Sequence, residues 1–175
     1  ALVPGAGASW GKEVLYRRWP AEKYAALADK MIEKFRVKVI LLGDFAEKEV
    51  GRQVAEHMRY QPISLIGQTS VGQYLGILGH CHLLVLNEGG PLHMAVPTGI
   101  RTVAIMGPVD ERVYGPYPPE GHKVVTKDIA CRPCYRNFRR AECEHINCLR
   151  RLTVDEVFAK VAEAFVGAPP RQGSG

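Results

Sequence analysis

Short apolar runs alternate with amphipathic helical periods along this chain, and that alternation restricts it to a layered α/β fold. Ala1–Val3 reads as the stump of a buried strand, followed by the Gly-rich stretch Pro4-Gly5-Ala6-Gly7-Ala8-Ser9. Behind Pro20, the residues Tyr24, Leu27, Ala28, Met31, Ile32 and Phe35 follow the spacing of one buried helical face. Val37–Leu42 is a near-continuous apolar run ending in Gly43-Asp44, the pattern of a strand buried on both faces. The same reading predicts a helix near 47–59, a strand over Ile63–Ile66 and a short helix over Val71–Leu78. Further strands are predicted at Leu83–Leu86, Thr102–Met106 and Val124–Val125, with a helix starting at Leu92–Val96. Thr153 is the predicted N-cap of a last helix that turns Val157, Val161, Ala164 and Phe165 inward. Strands that alternate with helices imply a mostly parallel sheet with right-handed crossovers, hence a doubly wound, Rossmann-like domain. Residues 1–166 form that domain, and the Pro/Gly-rich 167–175 is expected to be a disordered tail.

With 175 residues and 46% apolar composition the chain is long enough for one well-buried core. No apolar run reaches the ~18 residues of a membrane-spanning helix. The start has neither a basic end nor the apolar run of a signal peptide. Because it starts inside a strand, an excised domain with an upstream partner is expected. The net charge of +5 favours an anionic partner without choosing among nucleoside diphosphates, phosphorylated glycans, nucleic acid and acidic membranes.

Ligands of open α/β sheets bind beyond the carboxyl ends of the strands, so the loops there are the places for chemistry. In the first, Pro4–Arg18, glycines let backbone N–H groups approach an anion, Ser9 adds a hydroxyl, and Lys12, Arg17 and Arg18 add charge. It is not a Walker motif, and a mobile surface loop would look similar. In the second, Gly43–Glu47, an acid after a strand end suits ribose hydroxyls, although Glu47 also reads as an ordinary first-turn helix acid. The third, Asn87-Glu88-Gly89-Gly90-Pro91-Leu92-His93, is the strongest. It sets helix N-terminal N–H groups, a carboxylate and an imidazole between a buried strand and a helix, an end suited to a diphosphate.

These segments, in order, resemble glycosyltransferase family 9, the ADP-heptose:lipopolysaccharide heptosyltransferases among them. The residues that carry the resemblance are Pro4-Gly5-Ala6, Arg17-Arg18-Trp19-Pro20, Leu65–Ser70, Asn87–Ala95, Gly107–Asp110, Tyr114–Tyr117 and the Cys131-Arg132-Pro133-Cys134 segment. The similarity runs from about Ala1 to Phe165. It implies one half of a GT-B type enzyme, the C-terminal half that holds the nucleotide-sugar donor. Ser9 and Arg17 would then hold the diphosphate, Glu47 would lie near the ribose, and Glu88, Gly89, Gly90 and His93 would meet the phosphates and sugar. The catalytic base would belong to the absent N-terminal half, so no catalytic residue is expected in this chain. The reaction implied is transfer of a heptose-like sugar, ADP-heptose as donor, to a lipopolysaccharide core or other envelope glycan. No cofactor is implied for catalysis, since no Asp-x-Asp motif occurs and amides with Arg17 and His93 can stabilise the leaving diphosphate. A cytoplasmic enzyme, or one peripheral to the inner face of the membrane, is the expected setting.

Three positions depart from the family pattern. Glu88-Gly89-Gly90 replaces the usual Asp-Ser/Thr-Gly, Arg17 replaces the Lys before Trp-Pro, and the first loop is longer.

Cys81 sits in an apolar run and reads as a core thiol. Cys131-x2-Cys134-x8-Cys143-x4-Cys148 could fold four thiolates around a structural Zn²⁺, while disulfides, separate thiols or an iron–sulfur centre use the same residues. Six arginines between Cys131 and Arg151 raise a rival reading, a nucleic-acid module with Tyr135 and Phe138 as stacking groups. A sugar-nucleotide epimerase and a non-catalytic donor-binding paralogue are two further rivals.

Overall fold

The computed structural model describes residues 1–7, 11–136 and 139–166, and for 11–13 and 140 the backbone alone. Ser9, Phe138 and the expected tail 167–175 therefore lie outside the described residues. Six parallel strands form the central sheet: β1 (Leu2–Val3), β2 (Ile40–Leu41), β3 (Ile63–Ser64), β4 (Leu84–Asn87), β5 (Thr102–Ile105) and β6 (Lys123–Val125). Their spatial order is β3-β2-β1-β4-β5-β6, the doubly wound arrangement whose direction of winding reverses between β1 and β4. Register is fixed at that reversal by Leu2 opposite both Leu41 and Val85.

Helices α1 (Ala21–Phe35), α2 (Lys48–His57), α3 (Val71–Gly79), α4 (Gly90–Ala95), α5 (Glu111–Tyr114), α6 (Asn147–Arg150) and α7 (Val154–Val166) complete the layers. Two apolar layers result. Leu2, Leu41, Val85 and Val103 point toward α1 and α7, whereas Val3, Leu42, Leu84, Leu86 and Ala104 point toward α3 and α4. This strict alternation is the pleat of strands covered on both faces. At the start of α7 the predicted cap holds: Thr153 Oγ1 accepts from Glu156 N at 3.2 Å and Thr153 N donates to Glu156 Oε2 at 2.7 Å.

Several elements differ from expectation. The predicted strand Val37–Leu42 is observed as Ile40–Leu41, with Val39 O and Leu42 N still bonded to the neighbouring strands at 2.9 Å and Lys38 exposed. β3 is an edge strand with Ile63 47% exposed. Gly11–Arg17, read as loop, is a 3-10 helix. The Cys/Arg segment contains a small antiparallel ribbon, β7 (Tyr135–Arg136) and β8 (Arg139–Arg140), that its sequence did not announce.

Candidate functional site

A cleft of about 280 Å³ opens at the carboxyl ends of β1, β2 and β4, at the switch point where such sheets receive ligands. Gly7, Gly43, Glu47, Ser70, Tyr74 and Gly90 line it. Glu47 is buried at its base. Its Oε1 accepts from Gly7 N at 2.9 Å and its Oε2 from Asp44 N at 3.0 Å, the second bond closing a capping box with Asp44. A Cβ on Gly5 would stand 1.8 Å from Glu47 Oε1, and one on Gly43 2.7 Å from Oε2. The glycines at the two strand ends thus make the space that this carboxylate fills. Glu47 therefore completes a capping box at the helix start and also lines the cleft. Tyr74, raised above the usual phenol range by burial first and then by Glu47, reaches Pro91 O at 3.5 Å.

Arg17 and Glu88 do not face the cleft as two separate contacts. Arg17 Nε donates to Glu88 Oε1 at 2.6 Å and its Nη2 to Oε2 at 2.5 Å and to the Glu88 carbonyl at 3.1 Å. Both side chains are buried, so this is a desolvated forked pair that holds the 3-10 helix against the end of β4. Gly89 follows with φ +134, and a Cβ there would lie 2.6 Å from Arg17 Nη2 and 2.8 Å from Ala6 O. Arg17 Nη2, the Ala6 carbonyl and the positive φ together leave no room for a side chain at Gly89.

Of the two adjacent arginines, Arg18 is the one turned toward Glu47. Its Nη2 lies 4.0 Å from Glu47 Oε1, and its buried Nε has no hydrogen-bond partner among the described residues. Asn87 joins the elements around the site. Its Nδ2 donates to Pro4 O and Gly5 O, both at 2.8 Å, and its Oδ1 accepts from Trp19 N at 3.0 Å. His93 is exposed on α4 and is not among the residues lining the cleft, although the adjacent Met94 is.

The cysteine segment is pinned elsewhere, to the loop after β5. Cys134 N and Tyr135 N donate to Pro108 O at 2.9 and 3.1 Å. Among the described residues none of the five cysteines is in a disulfide, and no group of three or more His, Cys, Asp or Glu is arranged to hold a metal. Cys148 is buried, and burial first, then Cys134 and Cys143, push its thiol up to about 11. The donor set suits Zn²⁺, but the four thiols are not closed around a point. Tyr135 packs edge-on against Tyr114 at 5.7 Å, against the stacking role of the nucleic-acid reading.

A doubly wound parallel sheet with its cleft at the switch point defines a Rossmann-like ligand-binding domain. The family model described as glycosyltransferase family 9 (heptosyltransferase) matches residues 5–145, and the chain belongs to that family. It is similar to lipooligosaccharide heptosyltransferase 2 of Campylobacter jejuni subsp. jejuni serotype O:6, with 27% identity over 158 residues, 89% of this chain and 48% of the relative. Among solved structures it shares the fold of the E. coli ADP-heptose lps heptosyltransferase II. There the TM-score is 0.75 and the identity 22%, covering 94% of this chain and 45% of that one. E. coli heptosyltransferase WaaC with ADP gives a TM-score of 0.67 at 19% identity, over 93% of this chain and 43% of that one. The chain spans about half the length of the relatives it matches. The nucleic-acid and epimerase alternatives find no support in these similarities. No helix among the described residues is long and apolar enough to cross a membrane.

Proposed function

We propose that this chain is the donor-binding half of a heptosyl-type glycosyltransferase, with a nucleoside diphosphate heptose, ADP-heptose first, in the switch-point cleft. The observation that carries the reading is the buried, pre-oriented Glu47 carboxylate in that cleft in a family 9 chain. Two backbone amides fix the carboxylate, and its remaining lone pairs are left to accept from ribose hydroxyls. The backbone at Gly89–Gly90 lets phosphate approach, Arg18 supplies the charge, and Arg17 with Glu88 positions the turn rather than touching donor. His93, beside the cleft on α4, is available to the sugar end. Ser9 remains in the proposal as a phosphate hydroxyl.

The chemistry is displacement at the anomeric carbon by an acceptor hydroxyl of a lipopolysaccharide core or similar envelope glycan. A base from an N-terminal partner domain takes the hydroxyl proton while the nucleoside diphosphate leaves. This half stabilises the charge that grows on the departing diphosphate. The setting proposed is cytoplasmic, at or near the inner face of the membrane. A structural Zn²⁺ on Cys131, Cys134, Cys143 and Cys148 is a separate proposal resting on the donor set alone, and metal analysis of the purified chain tests it.

Calorimetric titration with ADP, UDP and GDP tests the donor site. ADP binds saturably and in preference to the others, and Met94→Trp, which fills the cleft from a partly exposed position, weakens it at least tenfold without lowering the unfolding midpoint. A folded chain that binds none of the three, or a Met94→Trp variant that binds ADP as before, overturns the reading.

A further inference from the structure

We infer that Tyr74 is a specificity-determining residue of the switch-point cleft, whose hydroxyl donates to a ribose hydroxyl of the bound nucleotide and so selects ribonucleotides over their deoxy analogues. The inference rests on the donor reading above, and adds to it a residue and a discrimination which that reading does not contain.

The phenol is set in place by α3. Tyr74 and Leu78, four residues apart, share the helix face that packs into the apolar layer containing Leu86 and Leu92. Tyr74 is only 7% exposed, yet it lines the cleft together with Glu47. Of the polar side chains around it, Ser70 Oγ accepts from Gln73 N at 3.2 Å to cap α3, and Asp44 shares a capping box with Glu47. The Tyr74 hydroxyl is held less well. Its contact with Pro91 O is 3.5 Å long, beyond the roughly 2.5–3.0 Å of an effective O–H···O bond. A buried donor so poorly satisfied carries an uncompensated desolvation cost, which an acceptor entering the cleft relieves. Burial first, and then the Glu47 charge, hold the phenol above its usual range, so it keeps its proton at neutral pH.

The surroundings of that hydroxyl decide what the acceptor is. Pro91 O and the Glu47 carboxylate are both acceptors, and the Glu47 charge opposes a phosphate placed beside it. Ring nitrogens of a nucleobase accept without donating, and an exocyclic amine donates without accepting. A hydroxyl does both. Its oxygen accepts from Tyr74 while its own proton goes to a carboxylate oxygen of Glu47, whose orientation the Gly7 and Asp44 amides already fix. The hydroxyls of a nucleoside diphosphate are those of its ribose. An analogue lacking the one that Tyr74 holds leaves a buried donor unpaired, and sites built this way reject such analogues.

Calorimetry of the whole chain and of Tyr74→Phe with ADP, 2′-deoxy-ADP and 3′-deoxy-ADP tests the inference. Tyr74→Phe keeps the ring and removes one long contact, so the unfolding midpoint is expected to hold. ADP should bind the variant roughly three- to tenfold more weakly than it binds the native chain. One of the two deoxy analogues should bind the native chain more weakly than ADP and lose nothing further in Tyr74→Phe, which identifies the hydroxyl concerned. The inference is overturned if Tyr74→Phe binds ADP as the native chain does, if it weakens all three nucleotides by the same factor, or if its unfolding midpoint falls together with its affinity. ADP binding that Met94→Trp weakens and Tyr74→Phe leaves alone defeats this inference and spares the donor reading. A native chain that binds no ADP, or binds it regardless of Met94→Trp, defeats the donor reading and this inference with it.

Discussion

Glu88→Ala is the substitution whose consequence the structure determines most directly. It leaves the Arg17 guanidinium buried, without the two carboxylate oxygens that hold it at 2.6 and 2.5 Å. Removing one partner of a buried pair costs about 3–5 kcal/mol, mostly the penalty of leaving the other charge without its counter-ion. Arg17→Met strands the carboxylate instead and costs a similar amount, whereas the double variant strands neither. The expected double-mutant cycle in urea therefore shows a combined loss at least about 2 kcal/mol smaller than the sum of the single losses. Gly89→Ser probes the same contact from the backbone. Its Cβ meets Arg17 Nη2 at 2.6 Å and Ala6 O at 2.8 Å, at φ +134, for an expected loss of roughly 2–5 kcal/mol from overpacking and strain together. Arg17→Lys shortens the intruding group and recovers part of that loss, but not the part owed to Ala6. A Glu88→Ala loss below about 1 kcal/mol, or additive behaviour in the cycle, would refute the reasoning.

Asn87→Asp replaces two donated bonds, to Pro4 O and Gly5 O, with carboxylate–carbonyl repulsion; a loss of about 3 kcal/mol or more is expected in urea melts, and under 1 kcal/mol refutes it. The Glu156 carboxyl is held down to about 2, first by Lys127 and then by the Thr153 backbone N–H, against an ordinary 4.5. Its folded pKa is depressed, so its contribution is present above pH 4.5 and is lost as pH falls through about 2. The stability gap between the native chain and Glu156→Gln should accordingly close between those pH values, and a gap that is flat with pH contradicts the assignment. Thiol labelling at pH 8 should modify the exposed Cys131 first and the buried Cys81 and Cys148 only on unfolding, Cys148 being further protected by a thiol pushed up to about 11. Five equal rates would contradict that burial.

What the sequence revealed follows from which signals are local. β4 and β5 sit within one residue of the predicted runs Leu83–Leu86 and Thr102–Met106, because strands covered on both faces must be continuously apolar. β2 and β3 are shorter than the predicted runs, yet Ile63 N donates to Val39 O, Leu65 N to Leu41 O and Gly67 N to Gly43 O, each at 2.9 Å, so backbone pairing runs past the ends of both strands. The 3-10 helix before Trp19 has no periodicity to detect, and ribbon strands of two residues are too short to alternate. At the site, residue types were legible and their directions were not. A carboxylate at a strand end has the same one-dimensional signature whether it lines a cleft, as Glu47 does, or turns back onto an arginine, as Glu88 does.

The adjacent Arg17 and Arg18 bring that ambiguity to a test. One is paired with Glu88, and the other stands 4.0 Å from Glu47 with its Nε buried and without a hydrogen-bond partner among the described residues. On the proposed donor reading, Arg18 brings to the diphosphate both its charge and an Nε with no partner among the described residues. Replacing it should then separate binding from stability in a way that Arg17 cannot. Arg18→Gln removes a charge-assisted bond of about 1.5–3 kcal/mol, so ADP affinity should fall roughly ten- to a hundredfold. Stability should hold or rise slightly, because a buried donor without an acceptor is lost as well. Unchanged ADP affinity in a folded Arg18→Gln variant would move the diphosphate elsewhere, and a large fall in stability would make Arg18 a structural residue like its neighbour.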